Sequence, residues 1–271
     1  MKKNKKLFLS DIDGTLLNNK KELLPETQQA LKDFAAAGNT FSICTGRDIQ
    51  SSLLVYNALN IKLQGSFIVA YNGGMIYDVD NQKTIYRDGI EQGLARKLLD
   101  MAKEYDVHVH TYNDHFVLTE NYGECMAYYR RVIKTPTIVA ECIDEFMDVP
   151  PCKIICIELH DHEKQERFRK AVLEKYGDTL QLMYSNPYYL ELIPKTSGKG
   201  NALIRLRDYL GIAPENTIAA GDGENDISMI QAAGIGIAML NAPESVRKLA
   251  DYVTPSDNNH AGLSEILYKL I

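Results

Sequence analysis

Leu7-Phe8-Leu9-Ser10-Asp11-Ile12-Asp13-Gly14-Thr15 is the stretch on which the reading of this 271-residue chain turns. Leu7 to Leu9 have the apolar run of a short buried strand, bounded upstream by a lysine-rich start. The run ends on two carboxylates one residue apart, followed at once by a glycine and a threonine. Paired acids at the end of a buried strand are a poor stability device, because each carboxylate must be desolvated. They suit a divalent cation and a nucleophile, since ligands of open α/β sheets gather at the carboxyl ends of strands. A solvated strand-to-turn junction is the plain alternative, as Asp and Gly are common turn formers.

The residues that follow favour a parallel sheet. Pro25-Glu26-Thr27 opens a helix, with proline in the first turn and an acid suited to the helix dipole. Ala30, Leu31, Phe34 and Ala35 give it one apolar face, and Gly38 ends it. Thr40 to Cys44 reads as a strand, Asp48 to Leu59 as a helix and Phe67 to Ala70 as a third strand. Strand and helix thus alternate, as in a parallel sheet with right-handed crossovers. The pattern changes between about Ile85 and Leu192. Helices are expected there at 92–105, 122–131 and 162–175, and strands at 108–111, 116–119, 154–159 and 188–193, which describes an α+β module with an antiparallel sheet. Alternation resumes with a helix over 197–210, a strand over 217–220 and a helix over 224–233. A strand over 235–238 and helices over 243–250 and 262–271 complete it. The predicted fold is α/β: a Rossmann-like doubly wound parallel sheet core, residues 1–84 and 193–271, interrupted by an inserted α+β cap domain, residues 85–192.

Composition narrows the function. The chain is 45% apolar and 24% charged, as in ordinary globular proteins. Its net charge of −6 argues against nucleic acid or an anionic membrane as main partner. Five cysteines without a CxxC pair suit a reduced compartment. The apolar stretch after the basic start stops at Asp11, too short for a signal-peptide core, and no run approaches a membrane span. A cytoplasmic protein is expected.

Four polar stretches sit where core strands end or core helices begin. They are Asp11 and Asp13, then Thr45-Gly46 after a strand, then Lys199 at a helix start, then Gly221-Asp222-Gly223-Glu224-Asn225-Asp226. A lysine at a helix N-terminus is badly placed for the dipole, but together they favour a bound phosphate. If the sheet is parallel, all four line one edge. Carboxylates, a hydroxyl, backbone N–H groups and an ammonium would then meet there. Hard cations such as Mg²⁺ take such oxygen ligands along with substrate phosphate, and phosphoryl transfer needs little more than positioning and charge neutralisation. No G-x-x-x-x-G-K-[ST] loop occurs.

In order and spacing, Asp11-Ile12-Asp13-Gly14-Thr15, Thr45-Gly46-Arg47, Lys199 and Gly221-Asp222-Gly223-Glu224-Asn225-Asp226 resemble the four motifs of the haloacid dehalogenase superfamily. Asp13 is similar to the second aspartate of the phosphatase branch. The large insertion between the second and third motifs resembles the Cof-type branch with an α/β cap. Asn72-Gly73-Gly74, Gly236-Ile237-Ala238-Met239 with Asn241-Ala242, and Gly262 also match that branch. The resemblance implies that Asp11 is the nucleophile forming an aspartyl-phosphate, and that Asp13 is the general acid and then base. It implies Mg²⁺ held by Asp11, the main-chain carbonyl of Asp13, and Asp222. The Ile12 and Gly46 N–H groups, Thr45 and Lys199 would bind the phosphoryl oxygens and Asn225 the substrate, with Asp226 orienting Lys199 or a water. The implied activity is Mg²⁺-dependent hydrolysis of small phosphorylated metabolites, sugar phosphates first and then phosphorylated cofactors such as pyridoxal phosphate or flavin mononucleotide.

Plainer readings stand beside these. Thr45 can be a strand-end cap, Arg47 a structural ion-pair partner and Asp226 a helix cap. His108 and His110 share one strand face without a zinc spacing, which predicts a solvated or substrate-facing surface. Cys152 and Cys156 read as core. Tyr188 and Tyr189, and with less reason Asn72 and Arg47, are candidates for substrate contact. Lys2, Lys3, Lys5 and Lys6 read as a solvated start. A sugar phosphomutase and a non-catalytic receiver-like phosphoacceptor are the alternative functions, and a monomer or weak homodimer is expected.

Overall fold

The computed structural model describes residues 5–61 and 63–271, so Lys2 and Lys3 lie outside it. The chain divides into two compact units. The first comprises residues up to 47, 52–86 and 198–271, and the second 48–51 and 87–197.

The first unit opens with β1 (Leu7–Ser10), α1 (Pro25–Ala36), β2 (Thr40–Cys44), α2 (Ile49–Ala58) and β3 (Phe67–Ala70), followed by β4 (Met75–Asp78) and β5 (Lys83–Arg87). All four residues of β1 are buried, as a strand covered on both faces requires. Pro25 occupies the first turn of α1, and Ala30, Leu31 and Phe34 are fully buried on its inner face. Phe8 packs against Phe34 and Phe41 with ring centroids 5.9 and 5.7 Å apart, which fastens α1 to β1 and β2.

The second unit contains α3 (Gln92–Glu104), β6 (His108–Tyr112), β7 (Val117–Thr119), α4 (Glu124–Tyr129), β8 (Thr137–Val139), β9 (Ile154–Ile157), α5 (His162–Tyr176), β10 (Leu180–Asn186) and β11 (Tyr189–Pro194). Its strands form a six-stranded sheet in the order β10-β11-β9-β6-β7-β8. Side-chain caps begin both long helices: the Glu91 carboxylate accepts from the Gly93 and Leu94 N–H groups, and Asp161 from that of Lys164. Leu98, Leu99 and Phe168 of these helices share a core with Ile154, Cys156, Leu190 and Leu192 of the sheet.

Chain and sheet then return to the first unit through α6 (Lys199–Leu210), β12 (Thr217–Gly221), α7 (Ile227–Ala232), β13 (Ile235–Ala238), α8 (Glu244–Arg247), β14 (Tyr252–Val253) and α9 (Gly262–Leu270). The eight-stranded order is β14-β13-β12-β1-β2-β3-β4-β5. β1 lies in parallel between β12 and β2, with Leu9 opposite Ala219 on one side and Ser42 on the other. Residues from both ends of the sequence therefore finish side by side at one sheet edge. The Asp11 N–H donates to the Ala220 carbonyl at 2.9 Å, carrying the alignment past the end of β1.

Several expectations need correction. β4 runs antiparallel to β3, so the large sheet is not wholly parallel. In the second unit β8 pairs in parallel with β7, so that sheet is not wholly antiparallel. β4, β5, β8, β10 and β14 have no counterpart in the sequence reading; β14 has two residues and β5 is partly exposed, which leaves no buried apolar run to detect. The helices expected at 122–131 and 243–250 shrink to Glu124–Tyr129 and Glu244–Arg247. The helix expected from Glu224 is a 3₁₀ turn, Glu224–Asp226, leading into α7. His110 is fully buried, not solvated. Lys6 is tied to the Asn39 side chain and to the Leu270 carbonyl, not free in solvent. Cys152 and Cys156 are buried as expected.

Candidate active site

Every core candidate from the sequence belongs to the first unit, and most gather at the carboxyl ends of β1, β2 and β12. Asp11 follows β1, Thr45 and Gly46 follow β2, and Asp222 follows β12. Lys199 is the first residue of α6, fully buried, with its ammonium 2.6 Å from both Asp11 Oδ1 and Asp226 Oδ1. Burial alone would lower its pKa, but the charges of Asp11 and Asp226 outweigh this and keep it protonated. Those two partners also offset the unfavourable position at a helix N-terminus.

The charge balance is short of one or more positive charges. Burial, followed by the Asp226 and Asp222 charges, pushes the Asp11 carboxyl up to about 7 against the pull of Lys199. Burial likewise raises Asp222. Oxygens of Asp11, Asp222 and Asp226 all lie within 4.8 Å of one another, and the Lys199 ammonium pairs with Asp11 and Asp226 but not with Asp222. An all-oxygen donor set with surplus negative charge fits a hard divalent cation.

Asp226 is the least available of the three. Its Oδ1 is held by Lys199, and its Oδ2 accepts from the Asp222 and Gly223 N–H groups at 3.0 and 2.9 Å. It therefore orients Lys199 and shapes the chain leaving β12. Asp222 is fixed from the other side by the Thr15 hydroxyl, at 2.9 Å. Gly14 makes room for it: with φ +82°, a Cβ there would stand 2.3 Å from Asp222 Oδ2. Asn241 donates to the Gly14 carbonyl at 2.8 Å. Thr15 and Asn241 stand in the motif stretches, but nothing in the sequence pattern marks these contacts.

The Asp13 carboxylate is held by two cations of its own. Arg47 grips it through Nε at 3.2 Å and Nη2 at 2.8 and 3.0 Å, and Lys21 donates to it at 2.6 Å. Burial would raise its pKa, but the hydrogen bonds and charges of Lys21 and Arg47 prevail and hold it below the ordinary carboxylate range. Arg47 is thus an ion-pair partner, as the plainer reading had it. Lys21 was missed altogether. It lies in a turn where only its eight-residue separation from Asp13 could have hinted at the contact.

Thr45 is buried, its hydroxyl accepting from the Arg47 N–H at 3.2 Å, which is the capping geometry of the plainer reading. Ile12 is fully buried, and its carbonyl accepts from the Leu16 and Leu17 N–H groups. Asn72 adopts a left-handed conformation, φ 53°, and its side-chain oxygen is 3.5 Å from the Asn225 amide. Asn225 itself is exposed. Tyr188 and Tyr189 belong to the second unit, where both rings meet Tyr128 edge-on. No helix among the described residues is long and apolar enough to cross a membrane.

Known proteins bear on this arrangement. The model of the haloacid dehalogenase-like hydrolase family matches residues 8–267. The pyridoxal phosphate phosphatase YbhA of Escherichia coli is 29% identical over 268 residues, covering 95% of this chain and 96% of its own. A haloacid dehalogenase-like hydrolase from Bacteroides thetaiotaomicron superposes with a TM-score of 0.88 at 29% identity, over 98% of this chain and 100% of its own. A sugar phosphatase of superfamily subclass IIB superposes at 0.73 with 26% identity, over 98% and 100%. The chain belongs to the haloacid dehalogenase-like hydrolase family, in its Cof-type branch.

Proposed function

We propose that the protein is a Mg²⁺-dependent phosphatase of small phosphorylated metabolites that works through an aspartyl-phosphate. The observation that carries this reading is the buried Lys199 ammonium bridging Asp11 and Asp226, with Asp222 completing an oxygen cluster. Asp11, Asp222 and the Asp13 main-chain carbonyl would hold the cation, which when bound offsets the repulsion between nucleophile and phosphate dianion.

The Asp11 oxygen not held by Lys199 attacks phosphorus, and the bond from phosphorus to the leaving oxygen breaks. Asp13 gives that oxygen its proton. In the second half-reaction Asp13 takes a proton from water, the water oxygen attacks phosphorus, and the Asp11–phosphorus bond breaks to release phosphate. Lys199, Thr45 and the Ile12 and Gly46 N–H groups neutralise and orient the phosphoryl oxygens. For Asp13 to act as an acid, its carboxylate must leave the grip of Lys21 and Arg47. These ion pairs are half exposed, so exchange costs little.

Residues 85–192, the inserted stretch, are assigned to substrate selection, with Tyr188 and Tyr189 as candidate contacts and Asn225 and Asn72 as core contacts. Sugar phosphates lead as substrates, and phosphorylated cofactors such as pyridoxal phosphate or flavin mononucleotide follow. Relatives named as sugar and pyridoxal phosphate phosphatases support small phosphomonoesters as the substrate class. We read the protein as cytoplasmic, a monomer or weak homodimer, with no nucleic-acid or membrane partner.

The test is phosphate release from p-nitrophenyl phosphate and a panel of small phosphomonoesters. Wild type and Asp11→Asn are compared, each with Mg²⁺ and with EDTA. Release that requires both Asp11 and Mg²⁺ is expected. Label from acetyl phosphate retained at Asp11, with no turnover of any compound, would instead point to the mutase or receiver-like reading.

A further inference from the structure

Beside Asp13 the first unit carries a groove of about 440 Å³. Its wall is mainly apolar, with Leu17 and Leu23 from the stretch after β1 and Val55, Ala58 and Leu59 at the end of α2, and it also carries the amides of Gln28 and Asn60. Its cationic end is Lys21 and Arg47, the two residues that hold the Asp13 carboxylate. Hydrolysis as proposed above gives this groove no task. Of its lining residues, Leu17 and Leu59 are buried and Ala58 is exposed.

The cationic end is built for a carboxylate. The Arg47 guanidinium already meets both oxygens of one, and planar guanidinium groups favour such multi-point contact. Lys21 is brought to the same carboxylate by a tight turn, in which the Asn18 side-chain oxygen accepts from the Lys20 and Glu22 N–H groups. Lys21 itself has φ 64°, a left-handed conformation that a lysine seldom adopts. Glu22 also lines the groove, but its carboxylate accepts from the Asn18 amide. Lys21 is 61% exposed and Arg47 36%, so both can turn from Asp13 to another carboxylate at little cost.

We propose that this groove binds an amphipathic carboxylate, its acid group replacing Asp13 on Lys21 and Arg47 and its apolar body lying along Leu17, Leu23, Val55 and Leu59. Binding would release Asp13 from its two cations. This consequence rests on the hydrolytic reading, whereas the binding itself does not.

The test is isothermal titration calorimetry with octanoate, and with octan-1-ol as the uncharged control, in EDTA and without substrate. Octanoate is expected to bind saturably and at least about 10-fold more tightly than octan-1-ol, the discrimination ascribed to a charge-assisted pair. Lys21→Met removes one cation, and Ala58→Glu places a repelling charge at the exposed wall. Each is expected to weaken octanoate by about 10-fold or more. Saturating inorganic phosphate should leave octanoate binding unchanged. The proposal fails if octanoate does not bind, if octan-1-ol binds equally well, if neither variant alters affinity, or if phosphate displaces octanoate and so places it among the phosphate-binding residues. Circular dichroism of both variants guards against mistaking unfolding for lost binding. No turnover is measured, so failure here leaves the phosphatase reading standing.

Discussion

Lys199 sets the charge balance of the site, and its removal should be felt in the fold before it is felt in chemistry. Lys199→Met leaves Asp11 and Asp226 facing each other, buried, with no counter-charge. Breaking a buried pair in this way costs about 3–5 kcal/mol, so urea unfolding in EDTA should show a loss of that order at neutral pH. A loss within the scatter of surface substitutions would mean that the two acids are relieved some other way. Gly14→Ala tests the opposite side of the cluster. The new Cβ collides with the Asp222 carboxylate and meets an unfavourable φ, so Asp222 must move. The Mg²⁺ concentration for half-maximal phosphate release is expected to rise about 10- to 100-fold, as for other groups that orient a metal ligand. Circular dichroism should be unchanged. Asp11, Asp222 and Lys199 were legible in the sequence because strand ends and a helix start fix where they stand. The grip of Lys21 on Asp13 was not, since it depends on a left-handed turn residue whose conformation no pattern announces.

At the scale of the element, β6 shows how alternation can be read correctly and its environment missed. His108 and His110 do share a face, as the period of two requires, but His108 is half-buried there and His110 fully buried. Both ring nitrogens of His108 are shut off from solvent without a hydrogen-bond partner, and His110 stacks 4.4 Å from Tyr129. Covering by α4 decided this, and six residues of helix are too few to foresee it from periodicity. Burial pulls the His108 pKa down to about 4 and holds that of His110 well below the ordinary value. The unfolded chain therefore takes up protons below about pH 6.5 that the folded chain refuses. Stability is complete above that pH and falls as pH drops toward 4. For His108 alone the loss by pH 4.5 is roughly 2–3 kcal/mol. Denaturant unfolding of the second unit at pH 7 and 4.5, in wild type and His108→Gln, should show a shallower fall in the variant. Equal falls would assign the pH dependence elsewhere.

Across the whole molecule, each of the two units carries a hydrophobic core of its own. Leu7, Leu9, Val69 and Ala219 centre one, and Leu98, Ile154, Phe168 and Leu190 the other. The interruption was legible because the strand–helix alternation stops and restarts. The module's own strand order was not, since β9 lies between β11 and β6 and pairs with strands distant in sequence. Two cores on one chain also separate the response to ligand, because a ligand stabilises only the folded form that binds it. The carboxylates of Asp11, Asp222 and Asp226, with Lys199, lie wholly in the first unit. With Mg²⁺ and a phosphate mimic each at about 100 times its dissociation constant, the bound unit should gain about 3 kcal/mol or more. Hydrogen exchange followed by peptide would read this directly. Amides of β1, β12 and α6 should exchange more slowly when the ligands are added, and those of β9, β11 and α5 should change little. Equal slowing in both sets would mean that the two cores open together, as a single cooperative unit. Slowing confined to the second set would place the ligand site outside the Asp11 cluster and overturn the phosphatase reading at its root.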